Sequence, residues 1–138
     1  MAGKSDFTEQ EWEQLHKGAT GAGLLVSLSD RSFFDTFKEA GALAKHMANG
    51  RQSSSQLVKE LAASGGMGFG LGSTPDKVES ETVESLRAAV ATLERKAPDE
   101  LEPYKQFVLE VGESVGKAAG GGDESESTAL QKVRSALS

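Results

Sequence analysis

The sequence has no cysteine and no isoleucine, and it has three prolines and one tryptophan among its 138 residues. Without cysteine the chain cannot build a disulfide framework, a thiolate zinc site or an iron–sulfur cluster, and it has no cysteine nucleophile. β-Branched residues concentrate in strands, so the absence of isoleucine beside nine valines disfavours a sheet. The 17 alanines and 14 leucines favour helix instead.

The sequence also lacks a long apolar run and an excess of basic residues. No segment approaches the ~20 apolar residues needed to cross a bilayer, and the N-terminus leads into a polar segment without a visible secretory signal. The chain carries 15 basic and 21 acidic residues, a net charge of -6. Nucleic acid is bound by clustered lysine and arginine, which this balance disfavours. We therefore expect a cytoplasmic protein that binds neither nucleic acid nor membranes.

Apolar residues recur at helical spacing in six segments of the chain. The first segment has a complete helix start, because Thr8 and Glu11 are spaced as a capping box and Phe7 can pack on Trp12 as a hydrophobic staple. The apolar faces of the six predicted helices begin at Trp12, Phe33, Leu57, Val78, Leu101 and Leu130.

Two later pairs predict further helix starts. Pro75 follows Thr74, and a proline at the first helical position gives up no hydrogen bond. Asp99 and Glu102 are spaced as a second capping box, and Pro103 is tolerated only in the first turn of a helix, which predicts a helix that begins near Glu102.

These patterns predict an all-α fold, a single compact bundle of about six helices. The predicted domain spans residues 7–138 after a disordered N-terminus at residues 1–6, and it contains a glycine-rich loop at residues 64–74. The loop divides the predicted helices three and three. Two pseudo-repeated three-helix halves are therefore an alternative that the sequence leaves open.

Glycine has two different roles in the predicted fold. Gly18, Gly21 and Gly23 lie inside the first helix, where each costs ~1 kcal/mol relative to alanine. We interpret them as points where another helix approaches closely, and a hinge or bend is the alternative. Five further glycines fall in the loop at residues 64–74.

In that loop Met67, Phe69 and Leu71 alternate with glycine. No predicted strand precedes the loop and no Gly-Lys-Ser/Thr follows it, so it matches neither a dinucleotide fingerprint nor a P-loop. The three side chains either insert into the bundle or form an exposed apolar patch. In the second case they are the candidate residues for contact with a protein partner or a second copy of the chain.

Acidic residues of the second predicted helix are the candidate metal ligands. Asp35 and Glu39 are four residues apart and therefore share one helix face, and Asp30 lies at the helix entrance. Oxygen-rich clusters suit Ca²⁺, Mg²⁺ or Mn²⁺. The alternative is a solvated face with Asp30 as the cap. A second acidic cluster, at residues 123–126, is explained by helix capping.

His16 and His46 are the two histidines and the candidate general acids or bases. His16 borders the apolar face of the first helix. A ligand or catalytic role requires an enclosed pocket beside one of them. No Ser/His/Asp arrangement follows from the sequence, so we predict no catalytic residues and no enzymatic activity.

The stretch from Phe7 to Met47 includes Leu-Leu-Val-Ser-Leu-Ser-Asp-Arg-Ser-Phe-Phe between two predicted helices. It resembles the TerB-like (tellurite-resistance) superfamily of small helical proteins, with bacterial look-alikes of unknown function. In that superfamily a helix ends in Ala-Asp-Gly or a similar triplet, and a glutamate follows in the next helix. Asp30 and Glu39 stand in those places here. The resemblance implies a helical, non-enzymatic accessory module with an acidic ion site and a link to metal or chemical stress.

Three functions follow as hypotheses from these residues. The first is a protein-interaction or stress-accessory module that uses the loop at Phe69 or a dimer face. The second is a TerB-like module that binds a divalent cation at Asp30, Asp35 and Glu39. The third is a small-ligand binder or enzyme that uses His16 or His46.

Overall fold

A computed structural model describes residues 4–28, 48–53, 55–63, 74–118 and 124–138. In these ranges the chain forms helices and turns without a strand, which confirms the all-α fold. No helix in these ranges is long and apolar enough to cross a bilayer. The described α-helices are α1 (Glu9–Ser27), α2 (Gln56–Ala63), α3 (Pro75–Lys96), α4 (Leu101–Ala118) and α5 (Glu124–Leu137).

Short 3-10 turns precede three of these helices, at Lys4–Asp6, Ala48–Gln52 and Pro98–Glu100. The first of them falls within the N-terminal segment predicted to be disordered. The predicted second helix, from Phe33 to Met47, lies outside the described residues. So does the glycine-rich loop, apart from Thr74.

The predicted starts of α1 and α3 are confirmed. Thr8 Oγ1 accepts a hydrogen bond from the backbone N–H of Glu11 at 3.1 Å, and Glu11 Oε1 accepts one from the N–H of Thr8 at 2.9 Å. The rings of Phe7 and Trp12 lie 6.2 Å apart, as expected for the staple. At α3, Thr74 is the N-cap and accepts a hydrogen bond from the N–H of Lys77.

The predicted helix start near Glu102 is confirmed, because α4 begins at Leu101, but the predicted capping box at Asp99 and Glu102 is wrong. After α3 ends, Pro98–Glu100 forms a 3-10 turn that runs directly into α4 at Leu101. The cap position of the turn is Ala97, which makes no side-chain capping bond, and its carbonyl accepts the N–H of Glu100 at 2.9 Å. Because the turn continues the helical backbone, α4 needs no separate side-chain cap.

Helix α1 forms the centre of the described fold and packs against α3, α4 and α5. Every residue from Gly18 to Ser27 is buried, so this half of α1 is enclosed on all sides. Leu15 of α1 and Leu86 and Leu93 of α3 are fully buried. Tyr104 of α4 is also fully buried, and its hydroxyl donates a hydrogen bond to the carbonyl of Leu15 at 2.7 Å.

Two glycines of α1 allow this close packing. A Cβ atom at Gly21 would lie 2.1 Å from Thr82 Oγ1 of α3, and one at Gly18 would lie 2.7 Å from the Tyr104 hydroxyl and 2.9 Å from Leu86 Cδ2. All three distances are well inside van der Waals contact. The interpretation of Gly18 and Gly21 as points of close helix approach is therefore confirmed.

We predict that Gly21→Ala destabilises the protein. Alanine favours the helix by ~1 kcal/mol relative to glycine. Overpacking costs ~1–3 kcal/mol, and the close approach to Thr82 puts the cost at the upper end of that range. We expect a net loss of about 2 kcal/mol in the free energy of unfolding, measured by urea denaturation.

The matched comparison is Gly21→Ala made in a Thr82→Ala background. This second change removes Thr82 Oγ1, the atom nearest the added Cβ. The cost of Gly21→Ala should then fall by at least half. A more stable Gly21→Ala protein would contradict the close-packing explanation.

Candidate functional site

The residues that the sequence identifies as candidate sites lie mainly outside the described residues. They are the predicted metal ligands Asp30, Asp35 and Glu39 and the histidine His46. The predicted partner-binding residues Met67, Phe69 and Leu71 lie outside as well. In the described ranges, no group of three or more histidine, aspartate and glutamate side chains is arranged to hold a metal ion.

His16 is the one sequence-predicted histidine that the described structure places. It lies in α1 and is buried, with 8% of its surface exposed. Its backbone carbonyl accepts a hydrogen bond from Thr20 Oγ1 at 3.1 Å. None of the three clefts described below includes His16 among its lining residues.

Three clefts are lined by described residues, and all are open to solvent. One of about 290 Å³ lies between the Ala48–Gln52 turn and α4, and one of about 350 Å³ lies between α3 and α5. The third, of about 240 Å³, lies between α1 and α3. Its lining is polar and consists of Gln10, Glu13, Gln14, Lys17, Glu81, Glu84 and Ser85.

The α1–α3 cleft contains an ion pair that neutralises part of its charge. Lys17 Nζ donates a hydrogen bond to Glu81 Oε1, and Lys77 Nζ lies 3.9 Å from Glu81 Oε2. The hydrogen bond from Lys17 holds the pKa of Glu81 below its usual value. The Glu81 carboxylate is thus ionised and engaged with lysine at neutral pH, and it serves to join α1 to α3.

Glu11 makes polar contacts with its own helix start and with the end of α3. Besides its capping bond to Thr8, Glu11 Oε1 accepts a hydrogen bond from Lys96 Nζ at 2.5 Å, and Oε2 accepts one from Arg95 at 3.1 Å. The Lys96 ammonium also lies 5.9 Å from the centre of the Phe7 ring, within cation–π range. These contacts tie the start of α1 to the end of α3.

The environment of Glu11 strongly favours its ionised form. The hydrogen bond from Lys96 is the largest cause, followed by the backbone hydrogen bond from Thr8, and together with Arg95 they lower the pKa of Glu11 to about 2. A carboxyl group with this pKa cannot act as a general acid near neutral pH. Its role is structural.

The pKa of Tyr104 is raised, whereas that of Glu11 is lowered, so both lie further from neutral pH than usual. Complete burial raises the pKa of its hydroxyl far above the usual value, so the group stays protonated and continues to donate to Leu15. An efficient general acid or base has a pKa near the working pH. The shifts at Glu11, Glu81 and Tyr104 all move away from that range, which favours structural roles for these groups.

A buried contact between Ser55 and Glu100 was missed by the sequence reasoning. Glu100 lies in the turn before α4 and is 7% exposed. Its Oε2 accepts a hydrogen bond from Ser55 Oγ and a longer one, at 3.4 Å, from the N–H of Leu57. Periodicity cannot reveal this contact, because the partners are 45 and 43 residues apart in the sequence. The unusual burial of an acidic residue becomes visible only in three dimensions.

Comparisons with known proteins identify no relative. No family model matches the chain, and neither a curated protein nor a solved structure matches it.

We predict that Glu11 makes stability depend on pH in the acidic range. The pKa of Glu11 is about 2 in the folded chain and near its ordinary value of 4.5 when unfolded, so the ionised carboxylate stabilises the fold above about pH 4.5. This contribution is lost as the pH falls from about 4.5 towards about 2. Glu11→Gln should accordingly be less stable than the wild type at neutral pH, with the difference shrinking through that window.

Urea denaturation at a series of pH values measures this difference directly. Glu13→Gln is the matched control, because Glu13 lies in the same part of α1 and is exposed. The control should follow the wild-type curve. A constant difference between Glu11→Gln and wild type from neutral to acid pH would contradict the role of the ionised carboxylate.

Proposed function

We propose that this protein is a non-enzymatic helical module that binds a protein partner or a second copy of itself. The contact would be made by Met67, Phe69 and Leu71. The observation that carries the proposal is the alternation of these apolar side chains with glycine, between two helix ends that are fixed on the core.

The structure supports the proposal through the anchoring of both flanks. On the N-terminal side, α2 ends at Ala63, and Leu61 and Ala62 of its last turn are buried. On the C-terminal side, Thr74 caps α3 and Val78 is fully buried. A binding segment whose ends are held by a rigid scaffold is a common arrangement for recognition.

The chemistry of the described residues supports the non-enzymatic part of the proposal. The strongly shifted groups, Glu11 and Tyr104, have pKa values moved away from neutrality and are occupied by structural hydrogen bonds. The polar α1–α3 cleft is crossed by the ion pair between Lys17 and Glu81. Ion pairs and hydrogen bonds that join helices account for these groups without a reaction.

We predict that Phe69→Ser weakens association and leaves the fold intact. Self-association of the full chain is measured by sedimentation velocity over a range of concentrations. In parallel, a photo-crosslinking residue at position 69 reports protein contacts in cells. Phe69→Leu keeps an apolar side chain and should associate like the wild type, whereas Ala63→Ser is the control for added polarity at an exposed position nearby.

The unfolding free energy separates a contact residue from a core residue at position 69. Replacing a buried phenylalanine by a small residue costs ~3–5 kcal/mol. Replacing a phenylalanine on the surface should change the free energy of unfolding by no more than ~0.5 kcal/mol. A large loss of stability in Phe69→Ser, or a chain that neither self-associates nor crosslinks specifically through position 69, would contradict the proposal.

A second candidate function is divalent-cation binding by a TerB-like module. The four-residue spacing of Asp35 and Glu39, with Asp30 at the helix entrance, favours it. The resemblance of the Phe7 to Met47 stretch to the TerB-like superfamily supports the same residues. The cation would be Ca²⁺, Mg²⁺ or Mn²⁺, which prefer oxygen ligands.

We predict for this second candidate that Mn²⁺ broadens the amide NMR signals around Asp30, Asp35 and Glu39 before others, because it binds nearby and is paramagnetic. Asp35→Asn combined with Glu39→Gln should abolish the local effect. Asp76→Asn, at an exposed acidic residue of α3, should leave it unchanged. Broadening spread evenly over all acidic segments would contradict a specific site.

A further inference from the structure

The start of α2 is tied to a distant part of the chain by one buried carboxylate. Ser55 caps α2, because its Oγ accepts a hydrogen bond from the N–H of Val58 at 3.2 Å. The same hydroxyl donates to Glu100 Oε2, which also accepts from the N–H of Leu57 at 3.4 Å. Glu100 therefore completes the cap of α2 from the turn between α3 and α4.

The donors at the start of α2 compensate for the burial of the Glu100 carboxylate. A buried carboxylate is costly unless hydrogen bonds and favourable charges compensate for its lost hydration. The serine hydroxyl, the free backbone N–H groups and the positive end of the helix dipole provide that compensation at α2. In return, the carboxylate holds these donors in place. The contact is thus mutual: the start of α2 stabilises the buried charge, and the charge stabilises the start of α2.

Helix α2 depends on such outside contacts more than the other described helices. It has eight residues, whereas α1, α3, α4 and α5 have 14 to 22. Isolated helices shorter than ~12–15 residues are marginal in water. Its buried Leu57 and Leu61 favour the docked state, and its short length leaves it more dependent on its cap than a longer helix would be.

We propose that Glu100 is a latch that controls local opening of α2. When the carboxylate is absent, residues 55–63 open together as one unit while the packing of α1 against α3, α4 and α5 persists. Glu100 is then a conformational control point built into the turn before α4, distinct from the contact surface proposed above.

Amide hydrogen exchange of the full chain tests this latch. The backbone N–H of Lys59 donates to the carbonyl of Ser55 at 3.0 Å, so the exchange of Lys59 and the residues after it in α2 reports opening of the helix. In Glu100→Ala, we expect these amides to exchange about tenfold faster, since hydrogen bonds to a charged group are lost. Amides of Leu86 and Leu93 in α3 should keep their wild-type exchange rates.

Three further variants make the result specific. Glu100→Gln keeps the shape and removes the charge, so it should accelerate α2 exchange by a smaller factor and covers the case in which Glu100→Ala does not fold. Glu102→Gln is the matched control, because Glu102 is exposed in the first turn of α4. Ser55→Ala should accelerate α2 exchange as well, and adding Glu100→Gln to it should then have little further effect.

Two outcomes would overturn the latch. The first is wild-type α2 exchange in both Glu100 variants, which would mean that the carboxylate does not hold the helix. The second is equal acceleration of α2 and α3 amides, which would mean that Glu100 stabilises the whole fold and does not control a separate opening.

Discussion

The described fold depends on the complete enclosure of the second half of α1. A helix that is buried on all sides must present small residues wherever a neighbour approaches closely, and Gly18 and Gly21 do so towards α4 and α3. Their conformational cost, ~1 kcal/mol each relative to alanine, is offset by the packing they allow. Tyr104 fills the space beside Gly18 and uses its hydroxyl to bind the α1 backbone.

With α1 at the centre, the end of α3 and the turn after it contact the starts of α1 and α2. Arg95 and Lys96, at the end of α3, bind Glu11 at the start of α1. A few residues later, Glu100 binds Ser55 at the start of α2. Residues 95–100 thus provide two cations at the start of α1 and a carboxylate at the start of α2. A short stretch of sequence fixes where two earlier segments of the chain begin.

These ties explain how far the sequence could predict the structure. The helix starts at Thr8 and Thr74 were predictable from local signals, which are the capping-box spacing of Thr8 and Glu11 and the proline directly after Thr74. The partners of Glu11 on α3 lie 84 and 85 residues away and carry no local signal. At α4 the helix start near Glu102 was predictable from Pro103, but the spacing of Asp99 and Glu102 was misleading, because the backbone continues through a 3-10 turn and the buried acid is Glu100. For the candidate sites, spacing selected Asp35, Glu39 and Phe69, and these residues remain predictions.

The same contacts change what the acidic composition means. Glu11, Glu79, Glu81 and Glu113 each lie within ion-pair distance of a lysine or arginine, and Glu100 caps a helix. Acids that join helices are occupied, so the net charge of -6 is weak evidence for cation binding by this part of the protein. The case for a cation site therefore rests on the spacing of Asp30, Asp35 and Glu39 and not on the overall charge of the chain.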